Sequence, residues 1–510
     1  MTKEKNKIIL VIILILISLI ALVGSSYALL TKSFKSKKLS MEVGTLKIDF
    51  AEGNAINMAN AVPMTDSDGM KTTPYTFTIT NGGDINAYYT VSNEEELANT
   101  LDTSYLRMKL TGSDGYDSGI KTVKELGTET YKLVDETLLE TGKSVTYELR
   151  MWISQDAGNN IQDKVYKSKI VVNGTSNKVP LATDKILAKA NPEDLDYNSA
   201  TDAQKKEMWT FTHEATEQTT ALTDYHYIGA DPNNYVKFND ELWRIIGVFD
   251  TDDGTGKVEK RLKIIRNESI GYYSWDNKDK TIGAESTYGK NEWTDARLNY
   301  LLNPGHESET TGGSLYWNRG AGNCYNGQNN ATKACDFTTT GLTEKAKSMI
   351  GDAKWYLGGS STDDDVTAPM FYTRERGTGV YSGRSTSWTG KVGLMYPSDY
   401  GYATSGGTKK NRASCLEEAL YYWNNSSVSS VSDCKNNDWV YKPNLNYQQW
   451  TITSLSLYDN EVVNVNTSGF VASDSSMFVS SVRPVVHLKS TIKVISGSGT
   501  KDSPYILSGN

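Results

Sequence analysis

The stretch that decides the fold reads LWRIIGVF at residues 242–249, and RLKIIR follows it at residues 261–266. Both runs are rich in the β-branched and aromatic residues that favour strands. The segment between them, residues 250–260, contains three Asp residues and Gly254. Asp and Gly are the usual residues of hairpin turns. The pattern predicts a β-hairpin, and the same carboxylates leave a calcium site open as an alternative.

Residues 225–510 as a whole are predicted to form an α+β domain around this hairpin. Ten of the eleven Trp residues lie after residue 200, which places the larger aromatic core here. Two short helices are expected at residues 293–303 and 342–350, with Thr294 as the N-terminal cap of the first. Further strands are expected at residues 392–396, 450–453, 462–465 and 482–488.

The last of these strands contains Arg483, which precedes Pro484 in an apolar run. A buried Arg needs a carboxylate partner, because an unpaired charge is costly to remove from water. The sequence therefore favours a structural ion pair at Arg483 over a ligand-binding role.

The four cysteines of the chain all lie in the C-terminal half, and their spacing favours local pairing. Cys324 would pair with Cys335 and Cys415 with Cys434, although four cysteines allow three connectivities and free thiols are the alternative. Such disulfides fit an oxidising exterior. There is no Cys-x-x-Cys motif, and the histidines lack ligand spacing, so zinc is not expected. The histidines are His213, His226, His306 and His487.

Residues 41–175 show the period-two alternation of half-buried strands, with a turn cluster at residues 81–84. Short strands at this spacing predict an antiparallel β-sandwich, jelly-roll or Ig-like in type. The cluster Asp66-Ser67-Asp68-Gly69 lacks the pattern of an EF-hand loop, so a polar loop is favoured over a calcium site there. The expected strands are residues 45–50, 75–80, 88–91, 106–110, 145–152 and 167–172.

Residues 176–224 are predicted to be an interdomain linker. This segment contains Pro180 and Asn191-Pro192 with several charges, and one short helical run at residues 183–189.

The most apolar part of the chain is residues 8–23, which are uncharged and apolar except for Ser18. A basic head at residues 1–7 precedes them. A signal peptide cut after Ala28 explains this pattern, and so does a retained transmembrane helix over residues 8–28 with a cytoplasmic head. We favour the retained anchor, which makes a single-pass membrane protein with an extracellular body. The alternatives are secretion after cleavage and a cytoplasmic body on an N-out anchor.

The net charge of −8 over 510 residues argues against a nucleic-acid partner, which would normally select a basic patch or stripe. The content of Tyr, Thr, Ser, Asn and Gly favours a mainly β protein with polar loops.

Four motifs near the N-terminus are shared with a known family. They are Ser26-Tyr27-Ala28 after the apolar run, VGTL at residues 43–46, FTITN at residues 77–81 and TGKSVTYELRMW at residues 141–152. In these motifs the chain resembles the secreted, camelysin-like biofilm-matrix proteins of Gram-positive bacteria. The resemblance implies a jelly-roll-like sandwich, a place in a matrix or surface coat, self-assembly, and a leader removed by a dedicated signal peptidase.

Further motifs in the C-terminal half are shared with a second family. They are residues 242–247, GLMYPSDYGYA at 393–403, residues 450–453, residues 482–484 and GTKDSPY at 499–505. In these motifs the chain resembles an uncharacterised domain family of bacterial surface proteins. The element order is also similar to C-type-lectin-like and formylglycine-generating-enzyme-like folds, which implies lectin-like character. The reactive cysteines of the generating enzyme have no clear counterparts, which argues against an oxidase.

Catalytic motifs of hydrolases and phosphate loops are absent from the sequence. We therefore predict a non-enzymatic surface or secreted protein that presents a binding or adhesion domain to a glycan or protein ligand, with no cofactor unless calcium binds. One alternative is a structural subunit of an extracellular matrix fibre. The other is a wall-glycan hydrolase, which needs two suitably spaced acids. Its candidates are Asp363, Asp364, Asp365, Asp399, Glu417 and Glu418.

Overall fold

The computed structural model describes residues 46–52, 62–96, 99–127, 129–158, 161–176, 178–280, 288–424 and 432–508. The fold is mainly β. The basic head, the apolar run and Ala28 lie outside the described residues. Among the residues that are described, no helix combines the length and the apolar character needed to cross a membrane.

The N-terminal part is a sandwich of two antiparallel sheets. One sheet has the strand order β1-β2-β7-β4-β5 and the other β6-β3-β8. Alternate residues of both sheets point into one core, and the Tyr89 and Tyr147 hydroxyls form a 2.7 Å hydrogen bond inside it. The elements are β1 Ile48–Glu52, α1 Asp66–Gly69, β2 Tyr75–Asn81, β3 Ala87–Glu95, a 3₁₀-helix Thr103–Tyr105, β4 Leu106–Gly112, β5 Lys121–Thr122, α2 Val123–Leu126, β6 Thr130–Leu139, β7 Ser144–Ile153 and β8 Ser168–Thr175.

Each of the six strands expected in this part overlaps a strand of the structure, although the first begins at Ile48 rather than at residue 45, which lies outside the described residues. The sequence analysis missed β5 and β6. β6 has an irregular burial pattern because its pairing with β3 shifts register around Val91.

The C-terminal part contains the remaining strands, with short helices between them. The strands are β9 Met208–His213, β10 Leu222–Tyr227, β11 Tyr235–Phe238, β12 Glu241–Asp252, β13 Val258–Arg266, β14 Tyr272–Ser274, β15 Ala321–Tyr325, β16 Thr332–Asp336, β17 Ala353–Tyr356, β18 Ser387–Gly390, β19 Val392–Gly393, β20 Gln449–Ser454, β21 Glu461–Val465, β22 Val471–Ser475, β23 Val479–Ser481, β24 Val485–His487, β25 Lys493–Ser496 and β26 Tyr505–Ser508. The helices are α3 Ala182–Leu187, α4 Arg297–Leu302, α5 Glu344–Met349, α6 Ala368–Glu375, α7 Pro397–Tyr402, α8 Arg412–Glu417 and α9 Ser432–Asn436, with 3₁₀-helices Gln204–Lys206, Trp293–Asp295 and Leu420–Asn424.

The predicted hairpin is the centre of a nine-stranded sheet. β12 and β13 pair as expected, but both strands extend into the acidic segment, so the turn is shorter than predicted. The first half of β12 pairs with β11 and its second half with β10, and the register shifts at Gly247 where the partner changes. A Cβ at Gly247 would lie 2.1 Å from the Tyr225 carbonyl oxygen, so only glycine fits there.

The linker prediction for residues 176–224 is wrong for most of the segment. β9 and β10 belong to the nine-stranded sheet, and Ala182 and Ile186 of α3 are buried in its core. Asn191 forms a bridge with Trp209, and the Pro180 carbonyl accepts from the Val494 N–H at 3.4 Å, so these residues lie between packed elements. Pro and Asn in a sequence do not by themselves distinguish such connections from an open linker.

The two parts of the molecule meet at β25. Lys493 is buried, and its Nζ lies 2.5 Å from Asp135 Oδ2 and 3.2 Å from Glu136 Oε2 of β6. The segment that leads from β8 into α3 is bonded to the same strand, because Leu181 forms a bridge with Lys493 and the Val494 N–H donates to the Pro180 carbonyl at 3.4 Å.

Two other expectations need correction. Residues 293–303 form a 3₁₀-turn followed by α4 rather than one helix, because Ala296 is extended, and Glu292 rather than Thr294 accepts the capping hydrogen bond. The strand expected at residues 392–396 stops at Gly393, because α7 begins at Pro397 and Tyr396 is its N-cap residue.

Disulfides join Cys324 to Cys335 and Cys415 to Cys434, the local pairs that the spacing favours. We expect the double substitution Cys415→Ser and Cys434→Ser to lower the free energy of unfolding by about 2–4 kcal/mol, because the unfolded chain loses a constraint. Urea denaturation of the variant beside the unreduced wild-type chain measures the change. An unchanged midpoint and slope would contradict the prediction.

Candidate functional site

A cleft opens between the nine-stranded sheet and the segments packed on it. Its cavity volume is about 30 Å³, and the figure reaches about 420 Å³ only when the open solvent at its mouth is included. Charged groups of both signs and aromatic rings line it together. The lining residues are Leu222, Asp224, Phe249, Asp250, Thr251, Asp252, Lys263, Lys354, Tyr356, Arg376, Tyr396 and His487.

A buried ion pair lies in the wall of the cleft. Lys263 Nζ on β13 donates to Asp399 Oδ2 on α7 at 2.5 Å, and both side chains are almost fully buried. The same carboxylate oxygen accepts the Tyr396 N–H at 2.7 Å, so Asp399 also caps its own helix. Burial lowers the pKa of Lys263, and Asp399 opposes that shift.

The end of α6 supplies a second buried pair. Glu375 accepts hydrogen bonds from the Ser398 N–H and hydroxyl at 3.0 and 2.5 Å, and Arg376 lies 3.4 Å from Oε2, the oxygen that accepts the hydroxyl. Burial raises the pKa of Glu375 to about 7, with Arg376 opposing the shift. Arg376 also stacks on the Tyr372 ring at 3.5 Å.

Asp224 lies at the floor of the cleft beside two histidines. The Tyr372 hydroxyl donates to Asp224 Oδ2 at 2.7 Å, and His213 Nε2 lies 3.7 Å from the same oxygen. Burial raises the pKa of Asp224 to about 6, an effect that Arg376 opposes. Burial also lowers the pKa of His213 to about 3, and Arg376 adds to this shift.

His226 completes this group and is enclosed by aromatic rings. The ring centroids of Phe249, Phe211 and Tyr402 lie 5.0 to 5.4 Å from its own. Burial lowers the pKa of His226 well below its ordinary value. One ligand atom from each of His213, Asp224 and His226 lies within 4.8 Å of the others. Within the described ranges this is the one close group of potential metal ligands.

The sequence analysis treats the four histidines as scattered, but the structure brings two of them, His213 and His226, together with Asp224. In the β9–β10 hairpin, His213 pairs with Leu222, and Asp224 and His226 follow at two-residue intervals. Because alternate residues of a strand share a face, the three side chains project to one side. The alternation of Asp224 and His226 in the sequence could have indicated that these two side chains share a face. The register that places His213 opposite Leu222 was needed to add the third residue.

None of the acids proposed for a hydrolase lines the cleft, although Asp399 is bonded to Lys263, which does. Glu418 forms an ion pair with Lys410. The structure does not bring Asp363, Asp364, Asp365 or Glu417 into the cleft lining.

The carboxylates considered for calcium bind groups of their own turn or hairpin. Asp250 pairs with Lys260 at 3.1 Å, and Asp252 Oδ1 accepts the Gly254 N–H at 2.8 Å. Asp253 accepts the Thr255 N–H. In the first part of the chain, Asp68 pairs with Lys71. These contacts are those of hairpin and helix-end residues.

The ion pair predicted for Arg483 is wrong. Arg483 is buried, but its partners are not carboxylates. Its Nε donates to the Arg266 carbonyl at 2.9 Å. Its Nη1 donates to the Val440 carbonyl and to Gln449 Oε1, each at 3.1 Å. No carboxylate oxygen of the described residues lies within ion-pair distance. Burial lowers the pKa of Arg483 to about 9.

No family model and no curated protein matches the chain. A solved structure described as AvmM, which catalyses macrocyclisation in alchivemycin A biosynthesis, is 9% identical, with 27% of this chain and 92% of that chain covered. Its TM-score is 0.15, and a similarity this low supports no conclusion about fold or function.

Proposed function

We propose that the chain is a non-enzymatic protein of the bacterial surface or exterior, whose β-sandwich presents a lectin-like C-terminal domain that binds a polar ligand such as a glycan. The cleft described above carries this proposal. Ligand sites are concave and combine apolar or aromatic walls with a few fixed polar groups. In this cleft the half-buried Tyr356 and Lys354 line the wall together with Lys263, which is fixed by its buried ion pair with Asp399.

The apolar run at residues 8–23 supports export, with a retained anchor favoured over cleavage after Ala28. The two disulfides agree with an oxidising exterior. Fractionation of cells into membrane and culture supernatant, followed by immunoblotting, tests both points. A shorter, fully soluble product would contradict the anchor, and a full-length cytosolic product would contradict export.

Replacement of Tyr356 by Ala is expected to weaken ligand binding by about tenfold or more, because buried aromatic contacts dominate binding energies. A glycan array probed with the purified chain identifies the ligand, and titration of the best glycan gives the affinities. The matched control is Tyr458→Ala, an exposed aromatic residue outside the cleft lining, which should bind as wild type. Equal binding by both variants would place the ligand elsewhere.

One observation favours the alternative of a matrix subunit. β8 is an edge strand of eight residues, of which three are exposed and five half-buried, and edge strands can pair with another chain. Concentration-dependent fibre growth, followed by light scattering, would favour assembly through this edge. Persistent monomers would count against it, and release of reducing sugar from wall polymer would instead favour a hydrolase.

A further inference from the structure

We propose that His213, Asp224 and His226 bind a divalent transition-metal ion at the floor of the cleft. Imidazole nitrogens and a carboxylate oxygen are the ligands that Zn²⁺ accepts. Tetrahedral Zn²⁺ with bonds near 2.0–2.1 Å places its ligand atoms about 3.4 Å apart. His213 Nε2 and Asp224 Oδ2 are already 3.7 Å apart, and all three ligand atoms lie within 4.8 Å of one another. Small side-chain shifts would close the set around an ion.

The histidine nitrogens supply an independent reason. Neither ring nitrogen of His226, nor Nε2 of His213, has a hydrogen-bond partner among the described residues, although both side chains are more than nine-tenths buried. A neutral imidazole has one donor and one acceptor, and buried polar atoms are nearly always satisfied. An ion on this face would take up the free lone pairs.

The nearby cations do not exclude a further positive charge. Lys263 is paired with Asp399 and Arg376 lies beside Glu375, so each has a carboxylate other than Asp224. Arg412, the third cation that acts on His226, donates to the Tyr402 carbonyl at 3.1 Å. The Tyr372 ring also stacks on His213 at 3.7 Å and on Arg376 at 3.5 Å. Two groups so close to one ring centre must occupy opposite faces, so the ring separates the guanidinium from the proposed site.

The site also has an entry path. Asp224 lines the open cleft, whereas the two histidines lie behind it on the same face of the hairpin. Three protein ligands leave a fourth position, which catalytic and ligand-binding zinc sites fill with water or a bound molecule. The Tyr372 hydroxyl, bonded to Asp224, is placed to orient the carboxylate as outer-shell partners do.

The test uses the untagged full-length chain, stripped with a chelator and dialysed against Zn²⁺. We expect about one ion per chain by mass spectrometry of the metal, and a Co²⁺ form whose visible spectrum reports nitrogen and oxygen ligands. Asp224→Asn and His226→Gln should each weaken the affinity for Zn²⁺ by at least about tenfold. The control is His306→Gln, because His306 stacks on Tyr300 outside the group, and it should bind as wild type.

Zn²⁺ should also raise the thermal unfolding midpoint of the wild-type chain and of His306→Gln, but not that of Asp224→Asn. If His226→Gln does not fold, Asp224→Asn still provides the comparison with wild type, because Asn has nearly the same shape as Asp. Metal uptake well below one ion per chain, or equal uptake by Asp224→Asn and wild type, would overturn the proposal. The site does not depend on the glycan ligand, so each of the two can fail while the other stands.

Discussion

Replacement of Lys263 by Met is expected to lower the free energy of unfolding by about 3–5 kcal/mol. Lys263 and Asp399 are 2% and 3% exposed, and their 2.5 Å contact is the direct compensation for removing both charges from water. Met fills similar volume but leaves the Asp399 carboxylate buried without a cation. Because Asp399 also caps α7, the helix in which it lies, the substitution should destabilise that helix as well. Urea denaturation followed by near-UV circular dichroism measures the change.

The matched control for this experiment is Lys260→Met on the same strand. Lys260 pairs with Asp250 at 3.1 Å, but the two side chains are 39% and 24% exposed. Exposed pairs contribute about 0–1 kcal/mol, so this variant should unfold nearly as wild type. Equal losses of unfolding free energy in the two variants would show that the buried Lys263 pair contributes no more to stability than the exposed Lys260 pair.

Replacement of Trp450 by Ala should cost about 3–5 kcal/mol, the range measured for large aromatic residues in well-packed cores. Trp450 is fully buried on β20, and its indole N–H donates to the Tyr273 carbonyl at 3.0 Å. The substitution therefore creates a cavity and also leaves a buried carbonyl without that donor. Thermal and urea unfolding of the variant give the loss.

The control is again Tyr458→Ala, since Tyr458 is 53% exposed. Exposed substitutions usually change stability by less than about 0.5 kcal/mol in either direction. A loss at Trp450 no larger than that at Tyr458 would mean that the sheet containing β20, with the strand order β14-β23-β20-β21-β22, is not part of the cooperative core.

Much of this fold was predictable because its strands follow simple alternation or short apolar runs. The β12–β13 hairpin, the sandwich strands and the local disulfides all depend on residues near one another in the chain. The C-terminal Trp residues also indicated where the larger core lies. These features are local, and local pattern is what a single sequence contains.

The candidate site was not predictable in the same way, because long-range topology assembles it. Lys263 and Asp399 are 136 residues apart, and Tyr372 reaches Asp224 across 148 residues. A charged residue within an apolar run signals burial, but it does not identify the partner. Arg483 illustrates this limit, since carbonyl oxygens and an amide satisfied a group for which a carboxylate was expected.

The contact of β25 with the sandwich determines how tension would pass through the molecule. The segment entering α3 is bonded to Ile492, and the adjacent Lys493 is bonded to Asp135 on β6. A pull between the two parts therefore loads β25 at the same time as the covalent connection, and β25 shares the load with β26 through their ladder. The β25–β26 hairpin therefore bears part of the load, and the connecting peptide is not stretched alone.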